Sequence, residues 1–172
     1  LCVDLCDHFF RGAQGGRALP YLHAALDYLE EAYQNDSAIA MSNRCLDVPG
    51  LLEGAARFKV LLRKNSRLEL LGRRGAQEAV LAEARALAEE SGDKALLSDV
   101  EGATARMLSA VGRYEDAREH LRRHLVIARE IGDRQGEYAA TGNLGNVLSR
   151  LARYEEAREH YERALAIARE IG

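Results

Sequence analysis

Tryptophan is absent from this chain of 172 residues, proline occurs twice and cysteine three times. Each shortage excludes something. With so little proline, long helices can run unbroken. Cys2, Cys6 and Cys45 are an odd count, so they read as reduced thiols rather than a disulfide framework, and they point to a cytoplasmic setting. No apolar run approaches the roughly 18 residues a membrane span needs. Neither sign of charge dominates: 24 Lys and Arg face 27 Asp and Glu, a net −3. That balance supplies no stripe for tracking nucleic-acid phosphates and no basic face for an anionic membrane. There is no glycine-rich phosphate loop and no nucleophile elbow. The expectation is therefore a non-enzymatic protein without cofactor or metal.

What is present is 47% hydrophobic and 30% charged residues, rich in Ala, Leu, Glu and Arg. Such a composition favours helices around a sizeable core. An internal repeat organises them. Arg113 to Gly132 (RYEDAREHLRRHLVIAREIG) and Arg153 to Gly172 (RYEEAREHYERALAIAREIG) are identical at 15 of 20 positions, at an offset of 40. The same offset relates Gly72 to Gly112 and Gly92-Asp93 to Gly132-Asp133, and Ala38 begins the series continued by Gln77, Ala117 and Ala157.

Periodicity says what each unit is. Ala157, Tyr161, Ala164, Leu165 and Ala168 fall on one helix face, with Glu155, Arg158, Glu159, Glu162, Arg163 and Arg169 opposite. Ala140, Thr141, Leu144, Val147, Leu148 and Leu151 form a second stripe upstream. Gly132 suits a left-handed helix end and Asp133 the N-cap of the next helix. The pattern predicts an all-α chain of about nine helices, over 2–12, 17–33, 36–47, 51–71, 75–91, 94–111, 115–131, 134–151 and 155–171, with Val48-Pro49-Gly50 as the clearest break. Residues 17–47, 51–91, 94–131 and 134–171 pair as antiparallel hairpins, and 1–12 remains as the last helix of a preceding unit. Stacked hairpins bury what one alone would expose, which predicts a single right-handed α-solenoid with a concave and a convex face. The interior glycines Gly102, Gly142 and Gly145 cost helix propensity and are expected to mark close helix packing. His120 and His124 stand four apart without a third ligand. His120 recurs as His160 and reads as a surface residue, while His124 replaces a small buried alanine and is expected to point elsewhere. Acidic pairs such as Glu155-Glu156 are expected on solvated faces with ordinary pKa values.

These residues resemble the tetratricopeptide repeat family. The last unit matches its pattern with Leu144-Gly145, Tyr154, Ala157, Tyr161 and Ala164; the one before keeps Tyr114 and Ala117, with Ala105, Leu121 and His124 at the other positions. The 40-residue spacing is similar to bacterial-type repeats of signalling ATPases, cyclases and kinases, and of adaptors that capture peptides. The resemblance implies that the first helix of each hairpin lines a concave groove. Its candidate partner-binding positions are Asp99, Ala103, Arg106 and Ser109 in one unit, and Ala139, Asn143, Asn146, Ser149 and Arg150 in the next. Asparagine amides both donate and accept, and arginine can grip a carboxylate with two parallel bonds. The expected function is a protein–protein interaction module that holds a partner's peptide or helix, with no nucleic acid and no membrane. The alternatives are a regulatory sensor segment of a larger signalling protein and a structural self-association unit. Both ends are apolar in the manner of interior units, and the chain opens without methionine. That predicts a covering helix, from further repeats beyond Gly172 or from end-to-end self-association.

Overall fold

A computed structural model describes residues 1–172. It contains nine α-helices and no strand: α1 (Cys2–Arg11), α2 (Gly15–Glu31), α3 (Asn35–Leu46), α4 (Gly54–Leu70), α5 (Arg74–Ser91), α6 (Lys94–Ala110), α7 (Tyr114–Ile131), α8 (Arg134–Arg150) and α9 (Tyr154–Ile171). None is long and apolar enough to cross a membrane. The chain divides into two compact units, Leu1–Leu87 and Ala88–Gly172, with the division inside α5.

In the first unit α1 packs on α2, α2 on α3, and α3 on α4. Leu22, Leu26 and Leu29 of α2 and Phe58, Leu61 and Leu68 of α4 are all at most 2% exposed. Each such side chain contributes about 1.5–3 kcal/mol relative to exposure. Arg63 on α4 donates to Asp27 and Glu30 on α2, at 2.6 and 2.9 Å. The break at Val48-Pro49-Gly50 extends further than its sequence indicates. Gly50 adopts φ +68°, Leu52 turns inward, and extended Glu53 precedes the first turn, so α4 starts at Gly54 rather than 51.

In the second unit α6 packs on α7, α7 on α8, and α8 on α9. Gly132 ends α7 in the left-handed region, at φ 71° and ψ 20°. Asp133 then caps α8 by accepting the Gly136 N–H at 2.9 Å, as Asp93 caps α6 by accepting from Ala95 at 2.8 Å. One ion pair ties the start of each hairpin to its finish and recurs at the 40-residue offset: Lys94 with Glu130 and Arg134 with Glu170. The turn inside each hairpin also repeats. The N–H groups of Arg113 and Arg153 reach back to the carbonyls of Leu108 and Leu148, both at 2.9 Å, around Gly112 and Ala152 with φ of +79° and +59°.

Interior glycines mark close approaches, as expected, at two places. A Cβ on Gly145 would lie 2.6 Å from the Tyr161 ring, and one on Gly102 would lie 3.0 Å from the His124 ring. Gly142 is looser, with Ala164 Cβ at 4.0 Å. His124 does not point elsewhere: it is 9% exposed, and the space that Gly102 leaves is what admits an imidazole where the repeat otherwise has alanine.

Candidate functional site

Residues of α8 and α9 line an open cleft of about 540 Å³. From α8 it takes Tyr138, Ala139, Gly142, Asn143 and Asn146; from α9, Tyr161, Ala164, Leu165 and Ala168. Its floor is made of small residues, since glycine and alanine at these helical positions leave the space unfilled. Its rim is amphipathic. Tyr138, Tyr161 and Leu165 are 38%, 41% and 51% exposed. The Tyr161 hydroxyl donates to Asn146 Oδ1 at 3.0 Å, which fixes both side chains across the cleft. Asn143 is half-buried beside them.

Of the positions expected to meet a partner, Ala139, Asn143 and Asn146 therefore share one concavity. Ser149 and Arg150 follow on α8 outside its lining. Ser109 and Ser149 lie where α6 and α8 end, and their carbonyls accept the Gly112 and Ala152 N–H groups of the turns. Asp99 and Arg106 are both exposed on α6. Partial shielding from water and the Asp133 carboxylate raise the Asp99 pKa, with Arg106 opposing them. Ala103 is fully buried and presents nothing to a ligand. The α9 side of the cleft was missed by considering first helices alone. Its signal was in the sequence: Tyr161 and Leu165 belong to the apolar stripe of α9.

A second polar cluster lies inside the α6–α7 hairpin. Glu101, only 3% exposed, meets His120 Nδ1 at 2.6 Å and accepts from Arg123 Nε at 3.2 Å. His120 is thus half-buried and bound, rather than a plain surface residue. The His124 ring stands instead on Gly102. Burial lowers the pKa of His124, with Asp133 and Glu101 raising it and Arg106 lowering it further. Glu155 and Glu156 lie on a solvated face as expected, but Arg153 donates two hydrogen bonds to Glu156 and lowers its pKa. No group of three side chains is placed to hold a metal ion.

Residues 102–170 match the family model described as tetratricopeptide repeat. This stretch carries tetratricopeptide repeats. Among solved structures, aspartyl phosphate phosphatase F from Bacillus subtilis superposes with a TM-score of 0.74 over 96% of this chain, at 11% identity. This chain covers 49% of that protein, about half its length. The nearly identical TPR-like repeats of a Podosopora anserina chain assigned as a kinesin light chain superpose with TM-scores of 0.67 and 0.65 in two crystal structures. Those alignments cover 99% of this chain and 94% of theirs, at 14% and 15% identity. At such identities the likeness is one of fold. No curated protein matches the chain. The tetratricopeptide cleft residues are thus interpreted from their own chemistry.

Proposed function

We propose that this tetratricopeptide repeat chain is a non-enzymatic protein-interaction module, and that the α8–α9 cleft is where it holds a segment of a partner protein. One observation carries the reading: a concavity of about 540 Å³ whose rim exposes Tyr138, Tyr161 and Leu165 around the amides of Asn143 and Asn146. Exposed aromatic and aliphatic groups gathered around a few polar ones are characteristic of a site that excludes water from a bound chain. The wider set of Asp99, Arg106, Ser109, Ser149 and Arg150 belongs on this reading to flanking contacts rather than to the seat itself. A cytoplasmic setting accords with the three free cysteines.

The test is site-directed photo-cross-linking in the source cell, with a benzophenone amino acid replacing Leu165 in the full-length protein. Protein adducts are expected from this position, and Asn143→Ala with Tyr161→Ala should reduce them. Adducts that are absent, or that are indifferent to both substitutions, would remove the cleft as the binding site.

A further inference from the structure

Where α3 stops short, a cavity opens in the first unit. The helices α5, α7 and α9 each run for 18 residues, but α3 has 12 and ends at Leu46. Pro49 accounts for this, because it biases the residue before it, Val48, away from helical backbone. The chain turns aside, and Val48 settles over buried Gly15 at the start of α2, where a Cβ would meet both Val48 Cγ atoms at 3.5 Å. The turns that α3 lacks leave a cavity of about 360 Å³ between its end and the end of α1.

Five residues line it: Phe10 and Arg11 from the last turn of α1, and Arg44, Asp47 and Val48 from the end of α3 and just beyond. Phe10 and Val48 are half-buried and supply an apolar wall. Arg44 is paired with Asp7 on α1, which fixes its position. Arg11 and Asp47 are exposed, and neither has a side-chain partner. One guanidinium and one carboxylate thus stand unpaired around an apolar surface.

The two charges together select a ligand. A guanidinium calls for an anion, which it can grip with two parallel bonds. Asp47 calls for a cation, and the C-termini of two helices meet beside it, each with partial negative charge on its last carbonyls. A ligand of one sign answers only half of this arrangement. A metal ion would find a single free carboxylate. A segment inside a polypeptide carries neither charge, since both are lost in peptide bonds. A free amino acid carries both on one carbon.

We infer that the cavity at the ends of α1 and α3 binds a free α-amino acid with an apolar side chain, its carboxylate on Arg11, its ammonium on Asp47 and its side chain against Phe10 and Val48. Arg44, held by Asp7, adds a second guanidinium on the carboxylate side. The volume falls near the lower end of the range of about 300–1,000 Å³ typical of small-molecule sites. The site lies in the first unit and does not depend on the reading of the α8–α9 cleft.

Nuclear magnetic resonance of the isotope-labelled whole protein, titrated with L-leucine and separately with L-phenylalanine, tests it. Saturable shifts centred on Arg11 and Val48 are expected from at least one of them. Asp47→Asn and Arg11→Gln should each weaken that binding about tenfold. Analogues separate the two contacts. The acid without the amino group (isocaproate or phenylpropionate) and the amine without the carboxyl group (isoamylamine or phenethylamine) should both bind more weakly than the amino acid. Asp47→Asn should leave the acid's affinity unchanged, and Arg11→Gln the amine's, a crossed pattern that loss of fold could not produce. No saturable shift with either amino acid, binding indifferent to both substitutions, or an analogue that binds as tightly as its amino acid would overturn the assignment.

Discussion

Gly145 and Tyr161 are fitted to each other: the glycine on α8 leaves the space that the phenol ring on α9 fills, and a Cβ there would stand 2.6 Å from Cε1 of the ring. Forty residues earlier the same two repeat positions hold Ala105 and Leu121. Each pair is internally matched, so neither member should be exchangeable alone.

Gly145→Ala gains about 1 kcal/mol of helix propensity but forces the Tyr161 ring aside and breaks its bond to Asn146. A net loss of about 1–2 kcal/mol is expected in urea unfolding. The double variant Gly145→Ala, Tyr161→Leu reproduces the Ala105–Leu121 pairing and should recover most of that loss. Additive single effects would show that the two residues are not coupled.

Ala152 occupies the turn position that Gly72 and Gly112 hold in other hairpins, at φ +59° against +65° and +79°. Left-handed backbone is strained for a residue with a Cβ. Ala152→Gly should therefore raise stability by about 0.5–1 kcal/mol, offset in part by the greater freedom of glycine in the unfolded chain. An unchanged thermal midpoint would mean that the turn carries no strain.

Asn65 is fully buried with both polar atoms unpartnered, and buried Gln77 leaves its Nε2 unpartnered. They stand where the later hairpins carry Ala105 with Ala117 and Gly145 with Ala157. An unsatisfied buried polar group costs about 1–3 kcal/mol. Asn65→Ala with Gln77→Ala should stabilise the first unit by about 1–2 kcal/mol after the loss of packing is set against it. Destabilisation in calorimetry would show that the amides serve packing more than they harm it.

His124 makes stability depend on pH. Its folded pKa is lowered, chiefly by burial, from an ordinary value of about 6.5. Above that pH the imidazole is neutral in both states and costs nothing. As the pH falls below it, the unfolded chain takes up a proton that the folded chain resists, so stability declines down to the folded pKa. Half-buried His160 shifts in the same direction. Urea midpoints at pH 7.5 and 5.5 should therefore separate less in His124→Ala than in wild type, with a residual difference left to His160. Equal separation in the two proteins would contradict the assignment.

Sequence alone determined the helices, because their signals are local. Alternating apolar and charged faces, Gly-Asp boundaries and a 40-residue copy fix where helices start and stop, and only the irregular 48–53 segment moved α4. Half of the cleft was equally legible, since Ala139, Asn143 and Asn146 lie on one face of one helix. Whether a position is open or covered depends on a neighbour far along the chain. Ala103 is buried and Asn143 is not, although they occupy the same repeat position, and His124 fits only because Gly102 makes room. Those outcomes belong to the tertiary structure: burial and fit are properties of pairs of surfaces, and one strand of sequence describes each surface without its partner.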